Sequence, residues 1–130
     1  QDYARISLET SAVNLILSGV KDGRFIMIKS PVHIIEINSI TDDFERKELL
    51  RLLEDYGTSE IVDNNSVRKR TDKLVLKKFG IADAAHIAFA EYYKSVFITC
   101  DDKLLSKCCK NGITVQCINP VTFCEMENLK

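Results

Sequence analysis

The sequence predicts an α/β protein, a single domain over residues 1–130 in which a mostly parallel sheet is covered by helices on both faces. Three observations carry this expectation. Short runs rich in Val, Ile and Phe alternate with longer segments of helical period. Ser30-Pro31 and Thr41-Asp42-Asp43 are helix-opening signals, and Gly23, Gly57 and Gly80 are helix-closing ones. At 130 residues, 45% hydrophobic and 28% charged, the chain can build one core and lies outside the composition of disordered proteins.

Taken in order, Ala4 to Leu8 reads as a strand and Ser11 to Val20 as a helix ending near Gly23. Phe25 to Ile28 is a second strand. Ser30 and Pro31 then open a helix over Val32 to Ile40. The next helix carries its apolar stripe on Phe44, Leu49, Leu50, Leu52 and Leu53 and stops at Gly57. Ser59 to Val62 is a short strand, Ser66 to Phe79 a basic helix, and Ile81 to Tyr93 a helix whose alanines allow close packing on a sheet. Val96 to Thr99 is a strand, Lys103 to Lys110 a helix, Ile113 to Cys117 a strand, and Pro120 to Met126 a final helix. No repeat or low-complexity linker interrupts the pattern.

Composition removes several classes of function. A net charge of −1 exerts no global pull on nucleic acid or membrane, so polyanion binding must come from a local patch. The longest apolar run, Ala12 to Leu17, is interrupted by Asn14 and falls well short of the roughly 18 residues of a membrane span. The five cysteines are odd in number, contain no C-x-x-C and follow no secretory signal, which predicts reduced thiols and a cytoplasmic protein. With His33 and His86 as the two histidines, zinc ligation is poorly served.

The acids are better placed. Ligands of open parallel sheets bind beyond the carboxyl ends of the strands, where strand order reverses. Glu9 ends the first expected strand, and Asp101 and Asp102 follow the strand Val96 to Thr99. Glu36 lies among isoleucines, and Asp83 lies in the first turn of the alanine-rich helix, where the macrodipole favours an anion. Carboxylates that converge raise one another's pKa values unless a cation neutralises them. An all-oxygen ligand set selects Mg²⁺ or Mn²⁺, whose bound water is a nucleophile for phosphodiesters.

These residues match a known family. Through "SLETS" at 7–11, Glu36 in "SPVHIIEI", "GIADAAHIAFA" at 80–90, "FITCDDKLL" at 97–105 and "INPVTF" at 118–123, nearly the whole chain resembles the PIN domain, and within it the VapC-like toxin ribonucleases of type II toxin–antitoxin pairs. The resemblance implies a three-layer α/β/α fold with a five-stranded mostly parallel sheet, and a Mg²⁺ or Mn²⁺ site that cuts RNA. It assigns catalysis to Glu9, Glu36, Asp83 and Asp101, with metal ligation by Glu9, Asp83 and Asp101 and a fifth acid, Asp102, beside them. Thr99 and either Thr10 or Ser11 would orient the carboxylates or a bound water. It also implies a homodimer and an antitoxin protein as partner. Two positions depart from the family: Glu9 stands where Asp is usual, displacing the carboxylate by about one C–C bond, 1.5 Å, and Lys103 stands where many toxins carry a further Asp.

Around these acids, "RKRTDKLVLKK" at 68–78 holds Arg68, Arg70, Lys73 and Lys77, with the last three at spacings that share one helix face and suit an RNA backbone. His86, three residues after Asp83, shares its face and either contacts the site or is structural. An alternative to the nuclease is a PIN-like RNA- or protein-binding module with weak or no catalysis. A phosphoacceptor signalling domain is disfavoured because Ile28-Lys29 and Cys117-Ile118 lack its acceptor Asp and terminal Lys, and no glycine-rich phosphate loop is present.

Overall fold

The computed structural model describes residues 3–130. Its elements run α1 (Tyr3–Lys21), β1 (Met27–Ile28), α2 (Pro31–Asn38), α3 (Asp43–Tyr56), β2 (Gly57–Thr58), α4 (Asn64–Leu76), α5 (Ile81–Tyr93), β3 (Phe97–Ile98), α6 (Asp102–Lys110), β4 (Cys117–Ile118) and α7 (Pro120–Met126). The helices start where local chemistry says they should. Asp42, Asp63, Asp101 and Asn119 each accept backbone N–H bonds at an N-terminus, and Pro31 and Pro120 occupy first turns.

The main core lies where α4 and α5 pack together and meet α6. Leu74, Ala84 and Ile87 are fully buried there, with Val67, Phe79, Ala88, Phe89, Leu104 and Cys108 around them. The small residues of α5 let its backbone approach α4, whereas the sequence leads one to expect a sheet as their partner. A second contact joins α1 to α7, where the Cys124 thiol reaches the Ala12 carbonyl at 3.4 Å. Gly19 permits the chain to fold back after α1, since a Cβ there would meet the Phe25 ring at 2.6 Å.

Two expectations are corrected. The segment Ala4 to Leu8 is not a strand but the first half of α1. A helix established over residues 11–20 gains one hydrogen bond for each residue added, so it propagates toward its N-terminus. Arg5 and Glu9, one turn apart at 3.5 Å, support that extension. Secondly, the described residues show no single five-stranded sheet. Among the described residues there are two parallel ladders: Met27 and Ile28 pair with Gly57 and Thr58, and Phe97 and Ile98 pair with Cys117 and Ile118. The α/β class holds, with far more helix than strand. No helix among the described residues is long and apolar enough to cross a membrane.

Candidate active site

The acids expected to share one crevice fall into two groups. In the first, Arg5 of α1 reaches the start of α6 and donates two 2.7 Å bonds to the Asp102 carboxylate. Its Nε also faces Glu9 at 3.5 Å. Glu9 is therefore neutralised by a guanidinium on its own helix, and Asp102 by the same group. Both partners hold the Arg5 pKa above its usual value, the Asp102 hydrogen bond most strongly, and Arg5 in turn lowers the carboxyl of Asp102. The Cys100 thiol stands against this corner; burial raises its pKa first, and the Glu9 carboxylate raises it further.

The second group joins α2 to α5. His86 Nε2 contacts Glu36 Oε1, with His86 largely covered and Glu36 half exposed. His33, one turn before Glu36, stacks obliquely on His86 with ring centroids 4.8 Å apart. The Ser30 N–H donates to His33 Nδ1 at 3.0 Å, a bond that requires a neutral nitrogen there. Asp83 sits one turn before His86 in the first turn of α5.

Burial lowers the His33 pKa, His86 lowers it further, and Glu36 partly opposes them. The unfolded chain then binds the extra proton between the lowered value and the ordinary one of 6.5, so stability rises with pH across that window. His33 is expected to contribute its full stabilisation above the ordinary value and to lose it as the pH falls toward the folded one. Thermal melts of wild type and His33→Gln at neutral and mildly acidic pH check this, the variant showing the shallower dependence.

Asp101, Thr99 and Thr10 make local hydrogen bonds. Asp101 Oδ1 caps α6, accepting from Lys103 N at 3.0 Å and Leu104 N at 3.1 Å. Thr99 Oγ1 accepts from Asp101 N at 3.2 Å, so Thr99 positions the backbone that carries the acid. Thr10 donates to the Ile6 carbonyl within α1 at 2.8 Å, and Ser11 is exposed. Among the described residues no three His, Cys, Asp or Glu side chains come together as a metal would require. In this arrangement Glu9 and Asp102 are engaged by Arg5, Glu36 by His86, and Asp101 by the N-terminus of α6, while Asp83 stays in the first turn of α5.

The basic stripe is also redistributed. Arg70 turns inward and grips Glu91 through Nε at 2.6 Å and Nη2 at 3.1 Å. Glu91 also accepts from Thr114 N at 2.8 Å and Thr114 Oγ1 at 3.0 Å. Lys77 donates to the Asn111 carbonyl at 3.4 Å, and Arg68 and Lys73 stay exposed on α4. Sequence reasoning overlooked Glu91. Its position at the end of an alanine-rich helix, 21 residues from Arg70, gives no local signal.

Between the ladders lies an apolar cleft of about 660 Å³. Val13, Ile16, Leu17 and Val20 of α1 form one wall, and Met27, Ile28, Phe97 and Ile98 belong to the strands that line it. Ser30, His33 and His86 also line it, so the Glu36–His86 pair adjoins it. A family model described as PIN domain matches residues 17–110. The match contains Glu36, Asp83, His86, Asp101 and Asp102, and begins after Glu9. No curated protein and no solved structure matches the chain.

Proposed function

This chain belongs to the PIN domain family, and on that premise we propose that it is a metal-dependent endoribonuclease, the toxin of a type II toxin–antitoxin pair. PIN domains are generally nucleases and typically use divalent metal ions. The observation that carries the reading is that the family match spans the segments bearing Glu36, Asp83, Asp101 and Asp102.

Each finer part of the proposal has its own support. RNA as substrate draws on the exposed cations Arg68, Lys69 and Lys73 of α4, which suit phosphate contacts. Mg²⁺ or Mn²⁺ draws on the oxygen-only chemistry of the acids. The Glu36–His86 pair can hold a proton beside the cleft, and Thr99 fixes the turn that presents Asp101. A single five-stranded sheet is the arrangement that would set Glu9 beside these groups. An antitoxin and a second copy of the chain are proposed to dock on the early helices, where Ile35 and Phe44 are 69% and 75% exposed. A cytoplasmic location is proposed on the free thiols, which suit a reducing compartment.

A second reading, a PIN-like module that binds RNA or protein without cutting, is favoured by the engagement of Glu9 with Arg5 and of Glu36 with His86. Cleavage of a mixed RNA substrate in Mg²⁺, Mn²⁺ and EDTA separates the two. The nuclease reading expects cleavage with one of the metals, none in EDTA, and a loss of roughly a hundredfold or more in Asp83→Asn. Activity that survives EDTA or Asp83→Asn, or is absent with both metals, sinks it.

A further inference from the structure

The lysines of α6 take no part in the site described above. Lys103, Lys107 and Lys110 are four and three residues apart, so they form one stripe along the helix. All three are exposed, and among the described residues none of them forms an ion pair. The macrodipole favours cations at a helix C-terminus, which accounts for Lys107 and Lys110 in the last turn. It does not account for Lys103, in the first turn, where the dipole opposes a cation. The two acids that precede Lys103 are already engaged, Asp102 by Arg5 and Asp101 by the backbone N–H groups of α6.

At its far end the stripe meets α4. Lys107 Nζ donates to the Lys78 carbonyl at 2.9 Å, and Lys77 Nζ donates to the Asn111 carbonyl at 3.4 Å. The Lys107 amine also stands 5.9 Å from the Phe79 ring centre. An ammonium carries three N–H donors, so these contacts fix both amines and still leave donors for a ligand. The C-termini of α4 and α6 together supply about one negative charge. Against Lys77, Lys78, Lys107 and Lys110 that is too little, and the joined helix ends stay cationic.

The same face narrows the choice of partner. Leu104 and Cys108, the apolar side of α6, are buried in the core, so the helix has no apolar side to lay on a lipid surface. None of the exposed large hydrophobic side chains lies on α6, whereas the centre of a protein interface is apolar and depleted of lysine. A linear row of lysines suits a linear row of phosphates. From Lys103 to Lys110 the helix rises about 10 Å, which matches about three nucleotides at roughly 3.4 Å each.

We propose that α6 guides the substrate of the nuclease. Lys103, Lys107 and Lys110 bind successive phosphates of one RNA strand and lead it from the acids at the head of α6 to the joined ends of α4 and α6. That the strand ends at those acids rests on the nuclease reading; the phosphate-binding face does not.

Fluorescence anisotropy of a labelled single-stranded RNA, titrated in EDTA across a salt series, tests it. Lys103→Gln, Lys107→Gln and Lys110→Gln combined should weaken binding by roughly tenfold or more and flatten the salt slope by about 2, at about 0.7 for each lost phosphate contact. Each single variant should flatten the slope by about 0.7, which decides the matter if the triple variant does not fold. Lys107→Arg keeps the charge and should bind as wild type does. Lys21→Gln, at an exposed lysine ending α1, should leave affinity and slope unchanged. Wild-type affinity and slope in the triple variant would overturn the proposal. So would an equal loss in Lys21→Gln, which reduces the effect to net charge, or polyglutamate binding tighter than RNA, which gives the face to an acidic protein. The titration does not use cleavage. Lysine-dependent binding by a chain that never cuts RNA sinks the nuclease reading alone, and metal-dependent cutting with lysine-independent binding sinks this one alone.

Discussion

Arg70→Ala is expected to destabilise the fold by about 3 kcal/mol, because it leaves a carboxylate buried without its cation. The Glu91 side chain is 8% exposed and Arg70 27%, and their two-point contact ties α4 to α5. Burial alone would raise the Glu91 pKa; the hydrogen bonds from Arg70 and Thr114 outweigh it and hold the carboxyl below its usual range. In the wild type this contribution is complete above the ordinary carboxylate value and is lost as pH falls through the folded one. In Arg70→Ala burial dominates, so Glu91 titrates upward and acid relieves the variant. The gap between wild-type and variant urea midpoints should therefore narrow as pH is lowered from neutrality. Glu91→Gln, which keeps an acceptor for Thr114, should cost less than Arg70→Ala.

Leu74→Ala is expected to cost a comparable amount, about 3 kcal/mol, through a cavity the helices cannot close. Leu74 is 0% exposed and packs in the cluster that holds Ala84, Ile87 and Ala88 of α5. Its alanine neighbours have no side-chain reach with which to refill the space. Phe44→Ala removes more carbon but from a side chain 75% exposed, and its urea midpoint should barely move. An unchanged slope in the Leu74→Ala urea curve would show that the loss lies in the native state.

Much of the fold was legible because its signals are local. The bounds of α5 and α7 agree with those read from periodicity, Pro120 and Gly80, and the cap at Asp42 needs only the next few residues. The later strands fall within a few residues of their expected places, since β-rich runs bounded by turns mark extended chain without fixing its partners. The candidate site was less legible. Family membership supports the segments around Glu36, Asp83 and Asp101, but the partners of the charged groups span long stretches of chain. Arg5 meets Asp102 from 97 residues away, and His86 meets Glu36 from 50. Neither pairing has a spacing rule.

The sequence by itself determined the α/β class, the family and the helices of the described residues apart from the first half of α1, because composition, period and capping act over one or two turns. Tertiary structure decided what neutralises the acids and which way residues 3–8 go. Their alternation suits a strand, yet a helix already formed over residues 11–20 extends into them at one hydrogen bond per residue. An arginine one turn from Glu9 then engages both it and Asp102.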